Sequence, residues 1–336
     1  MKRAIFLLVV FGMGLFLMGF PVKETEAAPK IVLKAVSAWP VSHTNNDYYK
    51  IFMKQVMEKS NGEIEIQFLG GPEVVSVFDQ LKAASTGLVD MINSVPTYYS
   101  GIVPEGTITD LIKAGNELKG WRESGVMDLY TQAYLEKGKV VFLGYIHAGQ
   151  PLSIMTVKPV SKLADIRGMK LRSVGGLCDV FLGQLGASVV KIASAETYEG
   201  LQRGVVDGAI RNMGSLFEFK EYEVMKYIIM PSNLTPCGSV FVGEQKWKTI
   251  PPNLQKMMKE TAIQAEADAY KYYTAMDRNL LKEVVEKHGM KVVNIPDEEI
   301  KAFHEARAGE AAKRWIFEKA PKYGPTIYEK LLPYIK

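Results

Sequence analysis

Arg172 and Asn212 are the two side chains of this 336-residue chain whose types and settings point most directly to chemistry. Arg172 stands in Gly168-Met-Lys-Leu-Arg172-Ser-Val174, where Met169, Leu171 and Val174 describe a short strand that leaves a cation facing a crevice. A guanidinium stays charged and grips a carboxylate with two parallel hydrogen bonds. Forty residues on, Asn212 follows an expected strand over 205–210 and offers an amide that both donates and accepts. In open α/β sheets ligands bind outside the carboxyl ends of the strands. Two polar groups at neighbouring strand ends therefore converge on one anion.

The elements that must position these groups come in alternation. A strand over 31–38 ends at Trp39-Pro40, and a helix follows Ser42 and His43 with Ile51, Phe52, Met53, Val56 and Met57 on its apolar side. Ile64, Ile66 and Phe68 alternate along the next strand, after which Gly70-Gly71-Pro72 delivers Glu73 to the same edge. A helix over 79–85 leads to a strand over 89–93 that ends in Asn93, and its exit loop carries Tyr98 and Tyr99. Loops bearing Trp39, Glu73 and Tyr98 form one lip of a cleft. Glu73 and Asn93 join as polar candidates of types that also serve to hold loops together.

Downstream the pattern predicts a helix over 116–137, a buried strand over 139–146 with His147 in the loop behind it, and a strand over 152–157 that opens a second unit. Strand, helix, strand, helix and strand then run from 168 to 212. A helix over 217–225 and strands over 226–230 and 239–242 imply that the chain crosses between units more than once. From 253 to 288 one helical pattern runs without proline, opened by Pro251-Pro252 and closed by Gly289. It would span about 54 Å at 1.5 Å per residue, enough to run along both units. A last strand over 290–295 and helices over 297–319 and 326–332 complete the chain. The expected division is 28–150 as a first α/β domain that regains the chain at about 237–250, 151–236 as a second, 251–289 as the long helix, and 290–336 as a C-terminal strand and helices.

Composition and motifs exclude several classes. At 47% hydrophobic and 23% charged residues the chain is an ordinary globular protein, and its net charge of +4 is spread without the clustered basic face of a nucleic-acid binder. No nucleophile elbow, dinucleotide fingerprint or phosphate loop occurs. His43, His147, His288 and His304 lack metal-pair spacing, and His288 and His304 fall on expected solvated helix faces. The reading is therefore a binding protein, not an enzyme, with no cofactor and no metal. Lys2 and Arg3, seventeen uncharged residues over 4–20 and the small residues near Ala27 read as a secretory signal over 1–27, with a retained membrane anchor as the alternative. Export permits disulfides, yet Cys178 and Cys237 stand in separate apolar settings and are expected as two free thiols.

The run Gly168-Met-Lys-Leu-Arg172, then Glu196-Thr-Tyr198-Glu-Gly-Leu-Gln-Arg-Gly204-Val-Val-Asp207-Gly208, then Asn212 resembles the solute-binding proteins of tripartite ATP-independent periplasmic (TRAP) transporters, the family named for C4-dicarboxylate binding. The resemblance extends loosely over nearly the whole mature chain, and the long helix agrees with it. It implies a two-domain periplasmic binding protein of type II-like, TRAP-type α/β fold, in which Arg172 clamps a carboxylate and Asn212 assists. It also implies an organic acid ligand and a TRAP permease as partners, driven by an ion gradient, with hinge closure around the acid as the mechanism. Trp39 and Tyr98, in loops after strands, are the aromatic candidates for touching the solute. An exported α/β enzyme acting on a small carboxylate, or a binding protein of another importer class, are the competing readings.

The chain departs from the family in one respect. Relatives that bind acidic sugars carry a second arginine on the strand that opens the second domain, and here that position falls at or near Leu152. No arginine lies between Arg122 and Arg167. A second buried carboxylate would lack a partner there, so the expected solute is a monocarboxylate. Trp39, Tyr98 and Tyr99 suit an apolar or aromatic body, and Lys158 and Arg211 are the cations that could reach a second acid group.

Overall fold

A computed structural model describes residues 31–232 and 234–335. The expected secretory signal over 1–27 lies outside the described residues. Among them no helix is long and apolar enough to cross a membrane.

Two sheets organise the described chain. The first runs β2 (Ile64–Gly70), β1 (Ile31–Ser37), β3 (Met91–Ser94), β10 (Gly238–Gly243), β4 (Val140–His147). The second runs β11 (Lys291–Asn294), β9 (Tyr227–Met230), β5 (Ser153–Thr156), β8 (Gly208–Arg211), β6 (Lys170–Ser173), β7 (Ser188–Lys191). Parallel pairing joins β1 to β2 and β3, and β6 to β7 and β8. The antiparallel strand β10 brings the chain back into the first sheet between β3 and β4. Parallel strands with helical crossovers put their carboxyl ends on one side, so each sheet offers a row of loops at that edge.

Local sequence explains most of these elements. Ile64 and Ile66 of β2 face inward at alternate positions, whereas all eight residues of β4 are buried because helical segments cover both of its faces. The long helix Pro252–Glu286 starts with proline at its first position, where the missing N–H costs nothing. Its 35 residues are one continuous element of about 52 Å. Leu254, Met258, Ala262 and Ala265 pack into the apolar cluster behind the first sheet, and Val284 with Leu280 and Leu281 packs into that behind the second. A third and larger cluster is shared, running from Tyr99, Leu111, Trp121 and Tyr145 to Leu177, Phe181 and Phe303.

Two helices differ from the sequence pattern. The segment expected as one helix over 116–137 is two, Glu117–Glu123 and Met127–Ala133, with a wide final turn over Tyr134–Gly138. Ser124 and Gly125 break it, Gly125 taking a φ of +69° that side chains resist. The helix expected over 217–225 instead spans Met213–Glu218, because Asn212 caps its start and Lys220 leaves the helical region at φ +54°. Cys178 and Cys237 are buried free thiols. His288 and His304 are half-buried rather than solvated, His288 lying 4.0 Å from the Tyr222 ring.

Candidate functional site

The carboxyl ends of strands from both sheets meet over a cavity of about 40 Å³. Trp39 and Tyr98 line it from the loops after β1 and β3, and Arg172, Arg211 and Asn212 line it from β6 and β8. Arg172 belongs to an inner strand, opposite Val190 on one side and Ala209 on the other. Its side chain is 1% exposed. Nε donates to the Ile192 carbonyl at 3.0 Å and Nη2 to the Tyr98 hydroxyl at 3.4 Å. The second contact crosses from one sheet's loops to the other's. No carboxylate pairs with Arg172 among the described residues. Burial pulls this guanidinium below its ordinary value, yet such a group stays charged in proteins.

Arg211 is equally buried and has the opposite status. Its Nε donates to Glu221 Oε2 at 2.6 Å while Nη2 bonds Glu221 Oε1, a two-pronged ion pair. Nη1 donates to the Ser194 hydroxyl at 2.6 Å and Nη2 to the Ser194 carbonyl at 3.0 Å. The guanidinium also stands 5.4 Å from the Phe219 ring centre. Every direction from which a solute carboxylate would take a fork is occupied.

Asn212 is held by the fold as well as placed at the cavity. Its Oδ1 accepts from Ser215 N at 2.8 Å, capping the helix Met213–Glu218. The carboxamide N–H groups are what it has left to offer a ligand. Leu152 lines the cavity as a buried apolar wall.

Other sequence candidates fall elsewhere. Glu73 is exposed, folds back to accept from Gly71 N and does not line the cavity. Asn93 is fully buried beside Ser37 and Asn46, its Nδ2 3.4 Å from Asn46 Oδ1, and it too lies outside the lining. It braces β1 against β3. Tyr99 is buried with its hydroxyl donating to Ser94 Oγ at 2.6 Å, a core residue of the first sheet. Lys158 is exposed at the far end of β5, outside the cavity.

The structure adds groups that sequence reasoning missed. Ser194 and Ser215 line the cavity. His147, only suspected from its loop, lines it with Nε2 2.9 Å from Gln150 Oε1. His43 lies outside the lining, its ring 6.3 Å from that of Trp39, and accepts from Asn45 N at Nδ1, 3.1 Å, which leaves its proton on Nε2. Burial, with the charges of His147 and Arg211 behind it, pushes His43 down to about 3, and burial pushes His147 down to about 4. Both imidazoles are neutral near pH 7. Their convergence draws on separate segments, for which no local motif exists.

The arrangement can bind a carboxylate; among the described residues no cluster suited to a metal ion occurs. Residues 35–316 match the sequence profile described as bacterial extracellular solute-binding protein, family 7. A solute-binding protein of Albidiferax ferrireducens is 26% identical over 266 residues, covering 76% of each chain. The C4-dicarboxylate-binding protein DctB of Bacillus subtilis is 24% identical over 253 residues, 74% of this chain and 72% of its own. Among solved structures, a TRAP periplasmic solute-binding protein of Desulfovibrio salexigens with bound orotic acid superposes with a TM-score of 0.83 at 20% identity, over 91% of this chain and 99% of that one. DctP7 of Bordetella pertussis, an extracytoplasmic solute receptor binding pyroglutamic acid, gives 0.79 at 17% identity, over 89% and 99%.

Proposed function

The chain belongs to the bacterial extracellular solute-binding proteins of family 7, and from that premise we propose that Arg172 clamps the single carboxylate of a small organic acid between the two sheets. The family and the structural neighbours are substrate-binding receptors rather than enzymes. The receptor works outside the cytoplasmic membrane, exported by residues 1–27, and passes its acid to a TRAP permease pair. Two α/β domains, divided as 28–150 with a return at 237–250 and 151–236, close on the solute about the long helix and the crossing strands. Strand membership of the two sheets supports that division.

One observation carries the ligand class: Arg172 is buried at the cavity with no carboxylate to answer it. An uncompensated buried charge is costly, and an anionic solute removes the cost by taking the guanidinium's free donors. Arg211 offers no comparable attraction because Glu221 already neutralises it. With Leu152 apolar and Lys158 distant, the cavity holds one unanswered positive charge, which matches one carboxylate. The orotic and pyroglutamic acids bound by the two neighbours each carry one. Tyr98 fixes the Arg172 fork from across the cleft, and Asn212 adds a neutral contact. The cavity's small size supports a closed form that must open to admit a ring or a branched chain.

A thermal-shift panel of monocarboxylates beside succinate and malate, run with an assay for product, tests this reading. We expect stabilisation by monocarboxylates, about 2.7 kcal/mol at a hundred times Kd, with no turnover. Reproducible turnover, or a response to succinate and malate with none to any monocarboxylate, would overturn it.

A further inference from the structure

Beside the clamp lies a second polar set that the carboxylate does not use. His43, Asn45, His147 and Gln150 are each at least nine-tenths buried. Each carries a buried polar atom with no hydrogen-bond partner: His43 Nε2, both side-chain polar atoms of Asn45, His147 Nδ1 and Gln150 Nε2. Buried polar groups are paired in the large majority of cases, so five orphans in one neighbourhood call for a partner.

These four residues are neighbours in space. A methyl group added at Gly214 would lie 2.9 Å from Gln150 Nε2 and 3.3 Å from Asn45 Oδ1. Gln150 in turn bonds His147, whose ring is 5.2 Å from Trp39, and Trp39 is 6.3 Å from the His43 ring. His147 and Trp39 line the cavity, as does Ser215 next to Gly214. The absence of a side chain at Gly214 is what leaves room for the set against the helix that follows Asn212.

We propose that this set is a subsite for an uncharged hydroxyl or amide group on the same acid, so that the solute is a polar monocarboxylate rather than one with an apolar or aromatic body. This rests on Arg172 holding the carboxylate. The orphans include donors, the N–H of His43 Nε2 and the amide nitrogens of Asn45 and Gln150, and acceptors, His147 Nδ1 and Asn45 Oδ1. A hydroxyl donates and accepts, and an amide or lactam presents one N–H and one carbonyl, so either answers both kinds. A second carboxylate only accepts, leaving the two acceptors unmet and facing it with neutral imidazoles. An aromatic or branched hydrocarbon body leaves all five unmet. The aromatic rings of Trp39 and Tyr98 then serve as walls to a hydrogen-bonding ring rather than as a hydrophobic slot.

Calorimetric titration of the unmodified protein with matched pairs tests the subsite: quinate against cyclohexanecarboxylate, and pyroglutamate against cyclopentanecarboxylate. Sites built to hydrogen-bond a group reject the analogue that lacks it strongly, so at least one polar member should bind about a hundredfold or more tighter than its hydrocarbon counterpart. In Gln150→Met the gap should shrink about tenfold or more while the hydrocarbon acid binds as before; Arg172→Ala should remove both members of the pair. Equal binding within both pairs, or an unchanged gap in a folded Gln150→Met protein, would overturn the subsite and leave the clamp standing. Absence of binding by all four acids would remove the carboxylate reading and the subsite with it. Should Gln150→Met fail to fold, the matched pairs on the unmodified protein decide alone.

Discussion

Arg172 and Arg211 lie on neighbouring parallel strands, line one cavity and are almost equally buried, yet the chain treats them differently. Arg211 is answered from within, by both oxygens of Glu221 and by Ser194. Arg172 receives a carbonyl and a phenol. A third buried ionisable group, Asp110, shows another solution: it accepts from the Thr97 and Thr107 hydroxyls at 2.5 and 3.2 Å, and burial raises it to about 7, so that it can become neutral. A guanidinium cannot take that route. Of the three ways to bury a charge, pairing and neutralisation leave no unanswered charge within the chain, whereas Arg172 keeps its charge without a carboxylate among the described residues. Under the proposed function, site and scaffold are told apart by what satisfies the charge, not by residue type or depth.

Removing the internal answer to Arg211 should produce the largest effect. Glu221→Gln leaves two buried guanidinium groups uncompensated, and breaking a buried pair in this way costs about 3–5 kcal/mol. Urea unfolding of the ligand-free protein should show that loss. A change below about 0.5 kcal/mol would mean that the two arginines do not differ as described.

The neutralised case gives a pH dependence whose sign can be worked out. Asp110 is raised in the folded protein from 3.8 to about 7, so between those values the folded state binds the proton and the unfolded chain does not. Stability from this group is therefore present below pH 3.8 and is lost as pH rises through about 7. Asp110→Asn, which cannot ionise, should gain on the native protein across that window by on the order of a few kcal/mol. His43 and His147 act oppositely, their lowered values making acid unfavourable between about 6.5 and 4, so the difference between variant and native protein is the quantity to read. A constant difference from pH 4 to 7 would count against a neutralised Asp110.

The smallest expected effect separates the helix cap of Asn212 from its proposed contact with the acid. Asn212→Ala removes a helix cap, at about 1 kcal/mol of stability, and should weaken acid binding by less than loss of the clamp. Asn212→Ser, which can still cap, should recover the stability in thermal unfolding without restoring the carboxamide contact. Failure of Ser to recover any stability would argue against the cap.

How much of this was legible in the sequence depended on the range of the signal. The alternation of Ile64 and Ile66, the proline start of the long helix and the strand around Arg172 are local, and each element appears within a few residues of its expected place. The break at Ser124 and Gly125 was missed because the flanking apolar spacing suits one helix, and a single glycine does not reveal its left-handed turn. Trp39 and Tyr98 reach the cavity because their strands end at its edge. Glu73 shares that edge but turns back onto Gly71, a side-chain choice no spacing encodes. The status of Arg211 depends on Glu221, ten residues later and just past the left-handed backbone of Lys220. The set around His43, Asn45, His147 and Gln150 is assembled across the first sheet and the loop after it, and the missing side chain of Gly214 that makes room for it carries no pattern of its own.

Calorimetric titration of the native protein and of Arg172→Ala with a monocarboxylate that stabilises the native form tests the central claim most directly. Loss of one partner of a buried charge pair, about 3–5 kcal/mol, corresponds to two to three decades or more in affinity, and Arg172→Lys should also bind poorly because a point charge cannot form the fork. The account predicts a folded Arg172→Ala protein with that loss. Near-native affinity in a folded Arg172→Ala protein would contradict it.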